Sequence, residues 1–181
     1  MHSTSLFLAP HNDDEALFGA YTLLRERPLV MIVTDGWIQF NRGDNITAKQ
    51  RREETLEALR LLRCPVYFAG LRDDMLDEWQ LKRLFVDFRN FDAVYAPAII
   101  ENGNEQHNLI GRIAKLQFSN LIPYMTYSKT DLWKHGSREI VPTEMEIKIK
   151  NAALDCYKSQ INLPATRPHF DAVRGRSEWY E

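Results

Sequence analysis

Short apolar runs alternate along this chain with longer stretches of helical period. The run at residues 5–9 (SLFLA) reads as a strand, and residues 29–34 (LVMIVT) as a second. Both are near-continuous in apolar residues, as strands covered on two faces are. Between them, residues 14–25 read as one helix, with Ala16, Leu17, Ala20, Leu23 and Leu24 near helical spacing. Asp35-Gly36 ends the second strand with turn chemistry, and residues 37–45 read as a polar loop. A second helix is predicted over 48–62, with Leu56, Leu59 and Leu62 on one face. Strands at 66–69, 93–96 and 121–128 then alternate with helices at 81–88, 104–119 and 143–157. Pro97 stops the fourth strand, and the fifth carries Pro123. The tail from residue 159 to 181 reads as irregular, yet Phe170, Trp179 and Tyr180 give it a reason to pack on the body.

Strands alternating with helices predict an α/β fold with a mostly parallel sheet of about five strands, covered on both faces by helices. Ligands of such sheets gather outside the carboxyl ends of the strands. Here those ends are Pro10-His11, Asp35-Gly36, residues 71–74 and residues 97–107.

Composition narrows the function. At 181 residues the chain is read as one domain, residues 1–181, by the prior of about 150 residues per domain. Lys and Arg number 23 against 25 Asp and Glu, a net charge of −2, which argues against nucleic acid as the partner. No apolar run approaches the ~18 residues of a membrane span. No basic stretch precedes a long apolar one at the start, so no signal peptide is expected. Cys64 and Cys156 make neither a disulfide framework nor a four-thiolate metal site; both sit in apolar segments and read as core. The sequon Asn45-Ile46-Thr47 is idle without secretion, and a reducing cytoplasm is the expected compartment. No Gly-x-Gly-x-x-Gly follows the first strand, and there is no Walker loop or Gly-x-Ser-x-Gly elbow, which removes support for a nucleotide cofactor or a serine nucleophile.

The chemistry concentrates after the first strand, in Pro10-His11-Asn12-Asp13-Asp14-Glu15. An imidazole leaving the strand and a carboxylate in the first helical turn, three residues on, can converge on one metal ion, and His11 and Asp14 suit zinc. Asp13 lies between them, faces another way, and is free to serve as a general base. The plainer reading makes Asp13, Asp14 and Glu15 complements to a helix dipole. A catalytic zinc needs a third protein ligand and an open position. His107, beyond the fourth strand in Asn102-Gly103-Asn104-Glu105-Gln106-His107, lies on the same rim. His135 sits in a polar loop and reads as a surface residue, terminal His2 is set aside, and His169 in the tail is open to a pocket or a packing role.

Residues PHNDDE (10–15), TDG (34–36), RREE (51–54), Gln106-His107 and YKSQ (157–160) resemble, in order, the PIG-L/LmbE-like zinc-dependent de-N-acetylases. That resemblance implies a three-layer Rossmann-like sandwich, and a hydrolase that removes an N-acetyl group from a small amino-sugar-containing molecule. It implies His11, Asp14 and His107 as ligands of zinc or another divalent metal, and Asp13 as general base. It matches Arg51 and Asp73 to places that hold sugar hydroxyls. Their plainer readings are a helix arginine paired with Glu53 or Glu54 and an ordinary turn acid. Asn12 replaces the family's usual proline. The family motif near His107 often reads His-x-Asp-His, and Asn104 stands where its first histidine, associated with the oxyanion, would fall. Asn104 is then either an oxyanion donor or a helix N-cap, and His169 is the other candidate for the oxyanion. The competing expectation is a carbohydrate- or partner-binding protein with reduced catalysis on the same fold.

Overall fold

The computed structural model describes residues 4–36 and 46–181. The loop read at 37–45, His2 and Asn45 of the sequon lie outside them. The chain runs β1 (Ser5–Ala9), α1 (Asp14–Phe18), α2 (Ala20–Glu26), β2 (Leu29–Thr34), α3 (Ala48–Leu62), β3 (Val66–Leu71) and a 3-10 turn (Asp73–Met75). It continues through α4 (Glu78–Val86), β4 (Ala93–Pro97), α5 (Glu105–Gln117), β5 (Leu121–Tyr124), β6 (Arg138–Ile140), α6 (Glu144–Leu154), α7 (Lys158–Ile161), α8 (Arg167–Val173) and β7 (Glu178–Tyr180). The strands form one sheet in the order β3-β2-β1-β4-β5-β7-β6. The first five are parallel, and β7 runs antiparallel to both β5 and β6.

Every residue of β1 is buried, and its alternation divides the core in two. Phe7 and Ala9 face Leu23, Ile32, Leu59 and Leu154 on one side. Leu6 and Leu8 face Met31, Leu81, Val94 and Ile110 on the other. Helices therefore cover both faces, and the architecture is the three-layer α/β sandwich expected. No helix among the described residues is long and apolar enough to cross a membrane. Cys64 and Cys156 are free thiols.

Four expectations change. The helix read at 14–25 is broken at Gly19, whose backbone leaves the helical region and where a Cβ would stand 2.3 Å from the Phe7 ring carbon Cζ. The buried face of α3 is Arg51, Glu54, Thr55, Ala58, Leu59 and Leu62, whereas Leu56 is 50% exposed. The spacing of that face is helical, but its first member is a charged residue that an apolar count passes over. The fifth strand stops at Tyr124, where the chain leaves β5 to run along β7, Met125 donating its N–H to the Trp179 carbonyl. The tail read as irregular instead forms α7, α8 and β7, and a short strand, β6, precedes α6.

One buried carboxylate fastens that tail. Glu178 accepts hydrogen bonds from the N–H groups of Tyr21 and Thr22 at the start of α2, at 3.0 and 3.3 Å. It also pairs with the buried ammonium of Lys150 from α6 at 3.0 Å. The carboxylate thus satisfies helix N–H groups that have no partner within the helix and complements the dipole there.

A more exposed pair ties α2 to α6. Arg25 grips Glu146 through two hydrogen bonds of 2.7 and 2.9 Å, and Glu146 closes a capping box with Thr143. The Arg25 hydrogen bond leads in holding the Glu146 carboxyl down to about 2, with the Thr143 bonds assisting. A group depressed on folding stabilises fully above its ordinary value of 4.5 and loses that contribution as pH falls towards 2. Glu146→Gln is therefore expected to lower stability at pH 7 by about 1 kcal/mol, and the gap from wild type should close on acidification. Denaturant unfolding at a series of pH values checks this; a gap that stays constant down to the acid limit contradicts it.

Candidate functional site

In the order β3-β2-β1-β4-β5 the chain departs from β1 in both directions, so the carboxyl ends of β1 and β4 part and leave a crevice between them. The turn after β1 brings His11, Asp13 and Asp14. The loop after β4 leads into α5 and brings Asn104 and His107. A cleft of about 510 Å³ opens there. His11, Asp13, Asp14, Arg51, Asp73 and Asn104 all border it, and His169 of the tail does so as well.

Three donor atoms converge at its base. Asp14 Oδ2 lies 3.1 Å from His11 Nδ1 and 3.1 Å from His107 Nε2, and the two ring nitrogens are 3.2 Å apart. Metal bonds of about 2.0–2.1 Å at tetrahedral angles place neighbouring ligand atoms about 3.3 Å apart, so this triangle has the size that a three-ligand zinc site requires. Two imidazole nitrogens and one carboxylate oxygen in mutual contact make the mixed nitrogen and oxygen donor set that one central cation would take up together. The outer contact agrees. His11 Nε2 donates to Gln106 Oε1 at 2.5 Å, so in the neutral imidazole that binds a metal the lone pair sits on Nδ1, the nitrogen of the triangle. Gln106 is itself anchored through its amide N–H to the carbonyl of Asp73.

Charge is concentrated at this corner. Burial alone would lower the His11 imidazole; the hydrogen bond and charge of Asp14, with help from Asp13 and Gln106, outweigh it and carry His11 up to about 9. Burial would raise Asp14, but the charge and hydrogen bond of His107, and then those of His11, hold it well below the carboxylate range.

Asp13 does not join the triangle. Its side chain pairs with Arg51 Nη2 at 3.1 Å, and that guanidinium also donates to the Asn12 carbonyl. Asp13 occupies a positive-φ conformation (φ 149°) that a non-glycine residue adopts only under constraint. Its N–H is shared between the His11 carbonyl and Glu15 Oε2, both at 3.1 Å. Burial raises Asp13 first, Arg51 opposes and Asp14 adds to the rise, and the balance stands at about 7. Glu15 is fully buried, hydrogen-bonded by the Tyr157 hydroxyl, and pushed by burial up to about 8.

The remaining candidates fall on the cleft wall. Asn104 is the N-cap of α5: its Oδ1 accepts from the N–H groups of Gln106 and His107 at 2.8 and 3.3 Å, and its Nδ2 donates to the Tyr127 hydroxyl at 3.1 Å. His169 packs on the Tyr127 ring with centroids 4.3 Å apart. Burial lowers the His169 imidazole. Asp73 is buried in the 3-10 turn after β3, and Arg51 faces Asp13 rather than Glu53 or Glu54. His135 is exposed and stacks on Trp179. Sequence reasoning passed over Gln106 and Tyr127 as site residues. Gln106 was reachable as the neighbour of His107, and Tyr127 as an aromatic beyond a strand's carboxyl end.

A family model described as PIG-L, GlcNAc-PI de-N-acetylase, matches residues 6–117. No curated protein matches the sequence. Among solved structures, the conserved protein TT1542 from Thermus thermophilus is 20% identical with a TM-score of 0.76, over 99% of this chain and 94% of that one. The 4-carboxy-2-hydroxymuconate hydratase GalB from Pseudomonas putida is 15% identical with a TM-score of 0.72, over 100% and 95%. The N,N'-diacetylchitobiose deacetylase from Pyrococcus horikoshii, complexed with its inhibitor MPG, is 18% identical with a TM-score of 0.73, over 98% and 82%. At such identities the likeness is one of fold. The family model is a separate matter: it spans more than half of the chain, from β1 to the end of α5, and takes in His11, Asp14 and His107. By that match the chain belongs to the PIG-L, GlcNAc-PI de-N-acetylase, family.

Proposed function

We propose that this protein is a zinc-dependent hydrolase that removes an N-acetyl or related N-acyl group from a small amino-sugar-containing substrate, residues 1–181 forming one such domain. The observation that carries this is the triangle of His11, Asp14 and His107, of the size a tetrahedral metal requires, with the buried carboxyl group of Asp13 beside it and paired with Arg51. Family membership supports the amide as the bond cleaved, and the deacetylase named for diacetylchitobiose supports an N-acetylated sugar as the substrate class.

His11, Asp14 and His107 would hold the zinc, or another divalent metal in its place. Bound there, it supplies Lewis acidity towards the acyl carbonyl and eases deprotonation of the attacking water at neutral pH. Asp13, held in the cleft by Arg51, accepts that proton on its carboxylate. As the C–N bond breaks, the same carboxyl returns the proton to the departing nitrogen, so acetate and a free amine result. Arg51 keeps Asp13 aimed, and together with Asp73 it borders the space where sugar hydroxyls would sit. The donor that meets the developing oxyanion belongs to the wall formed by Asn104, Tyr127 and His169.

Metal analysis of the purified protein is expected to find near one equivalent of zinc per chain, lost in both His11→Ala and His107→Ala. Full occupancy in both variants would overturn the ligand set. Against a panel of N-acetylated sugars and glycosides, followed by acetate release, Asp13→Asn is expected to keep its zinc and lose about 100-fold or more in turnover. Turnover near that of wild type in zinc-loaded Asp13→Asn removes Asp13 as the base.

A further inference from the structure

We propose that the Tyr127 hydroxyl is the hydrogen-bond donor to the oxyanion, with Asn104 as the residue that positions it. This inference rests on the amide-hydrolysis reading given above, and it assigns the one role in that reaction which the candidates Asn104 and His169 leave open.

The argument is one of donors and acceptors. Asn104 Oδ1 is occupied by two backbone N–H groups of α5, which fixes how its amide is turned. Its nitrogen then faces Tyr127 Oη at 3.1 Å. An amide nitrogen has no lone pair to offer, so it donates and the phenol oxygen accepts. The phenol's own proton must point elsewhere, and it has no acceptor among the described residues. Tyr127 borders the same cleft as His11, Asp13 and Asp14, and a phenol with an ordinary value near 10 keeps its proton at neutral pH. An O–H held by an amide and left without an acceptor, at the wall of the cleft that holds the metal triangle, is a donor waiting for a charge that develops only during reaction.

The surroundings hold that ring still. His169 packs on it at 4.3 Å, the His107 ring meets it edge-on at 5.4 Å, and Phe18 lies at 6.0 Å. The loop that follows it is tied down. Lys129 N–H donates to the Asn102 carbonyl at 3.0 Å, Ser128 N–H donates to the Asp131 carbonyl at 2.8 Å, and Ser128 bridges to Gly103. A preorganised donor needs this rigidity, since reorganisation during the reaction would cancel its benefit. In this assignment His169 packs on the ring of the donor, and Asn104 acts through Tyr127 without itself touching the substrate.

The test compares metal-loaded wild type, Tyr127→Phe, Asn104→Asp and the double variant. Tyr127→Phe keeps the ring and its packing. Asn104→Asp keeps a helix cap but turns an acceptor towards the phenol and draws its proton back. Each single variant is expected to retain its zinc and melting temperature, and to lose about 100- to 1,000-fold in kcat with KM little changed. The double variant is expected to fall no further than Tyr127→Phe alone, because both changes remove one donor. Binding of the methylphosphonamidate of glucosamine, whose tetrahedral oxygen mimics the oxyanion, is the readout apart from turnover. Calorimetry is expected to show it weakened about 10- to 100-fold in either variant, with binding of glucosamine unchanged. Wild-type kcat in folded Tyr127→Phe, or losses that multiply in the double variant, would overturn the assignment while leaving amide hydrolysis intact. A zinc-loaded wild type that neither releases acetate nor binds the phosphonamidate would instead remove the hydrolysis reading, and this inference with it.

Discussion

Three consecutive carboxylates, Asp13, Asp14 and Glu15, are all buried, and the rest of the structure is arranged around that constraint. Burying one unpaired carboxylate costs several kcal/mol, and burying three side by side adds their mutual repulsion. Each has a separate remedy from a different part of the chain. Arg51 of α3 pairs with Asp13, His107 of α5 and His11 meet Asp14, and the Tyr157 hydroxyl bonds Glu15. The turn after β1 is thereby fastened to helices on both faces of the sheet. The positive φ of Asp13 survives because the N–H and side chain of this one residue are held from several directions at once. What looks from the sequence like an acidic helix start is the point at which the layers of the sandwich are locked together.

The same constraint explains why the chemistry sits here. A sheet that diverges from β1 opens a crevice at one place, and any ligand of this fold must use the loops around it. The fold itself does not choose the reaction, since a chain named as a hydratase superposes on this one with a TM-score of 0.72. The choice lies in the side chains. Because Asp14 is committed to the histidines and Glu15 to Tyr157, Asp13 is the acid left at the cleft with a value near neutrality. Environment alone has given three neighbouring acids three different sets of partners, the kind of difference by which carboxyl groups acquire distinct proton affinities.

Legibility in the sequence followed the length and regularity of the elements. The parallel strands announced themselves as apolar runs, and α3 was placed residue for residue because helical period is a local signal, although the face read from Leu56 was the wrong one. His11, Asp14 and His107 were legible as metal-ligating residue types at the carboxyl ends of strands. The tail was not. Its strand β7 has three residues, and its lock is a carboxylate, Glu178, that reaches N–H groups 157 residues away in sequence. No periodicity encodes such a contact. Arg51 was legible as a residue of interest but not by its partner, because the pairing with Asp13 spans 38 residues and follows from the crossover of the sheet rather than from helix neighbours. Tyr127 was hidden for a related reason: the strand pattern ran on to residue 128, whereas the chain leaves β5 after Tyr124.

The two amides beside His107 show how the site holds its geometry without adding charge. Asn104 and Gln106 stand where the family motif often carries a histidine and an aspartate, groups that would titrate. Each amide spends both of its ends. Asn104 caps α5 and reaches Tyr127, and Gln106 receives His11 Nε2 and donates to the carbonyl of Asp73. Neither can take up or release a proton near neutrality, so they orient His11 and Tyr127 without competing for the proton that the reaction moves. With neutral groups at both positions, the balance at Asp13 between burial and Arg51 is not disturbed by a further ionisable pair. In the proposed reaction one carboxyl group would serve both proton transfers, and the buried Arg51, paired with it at 3.1 Å, is what would keep it in place while its charge comes and goes.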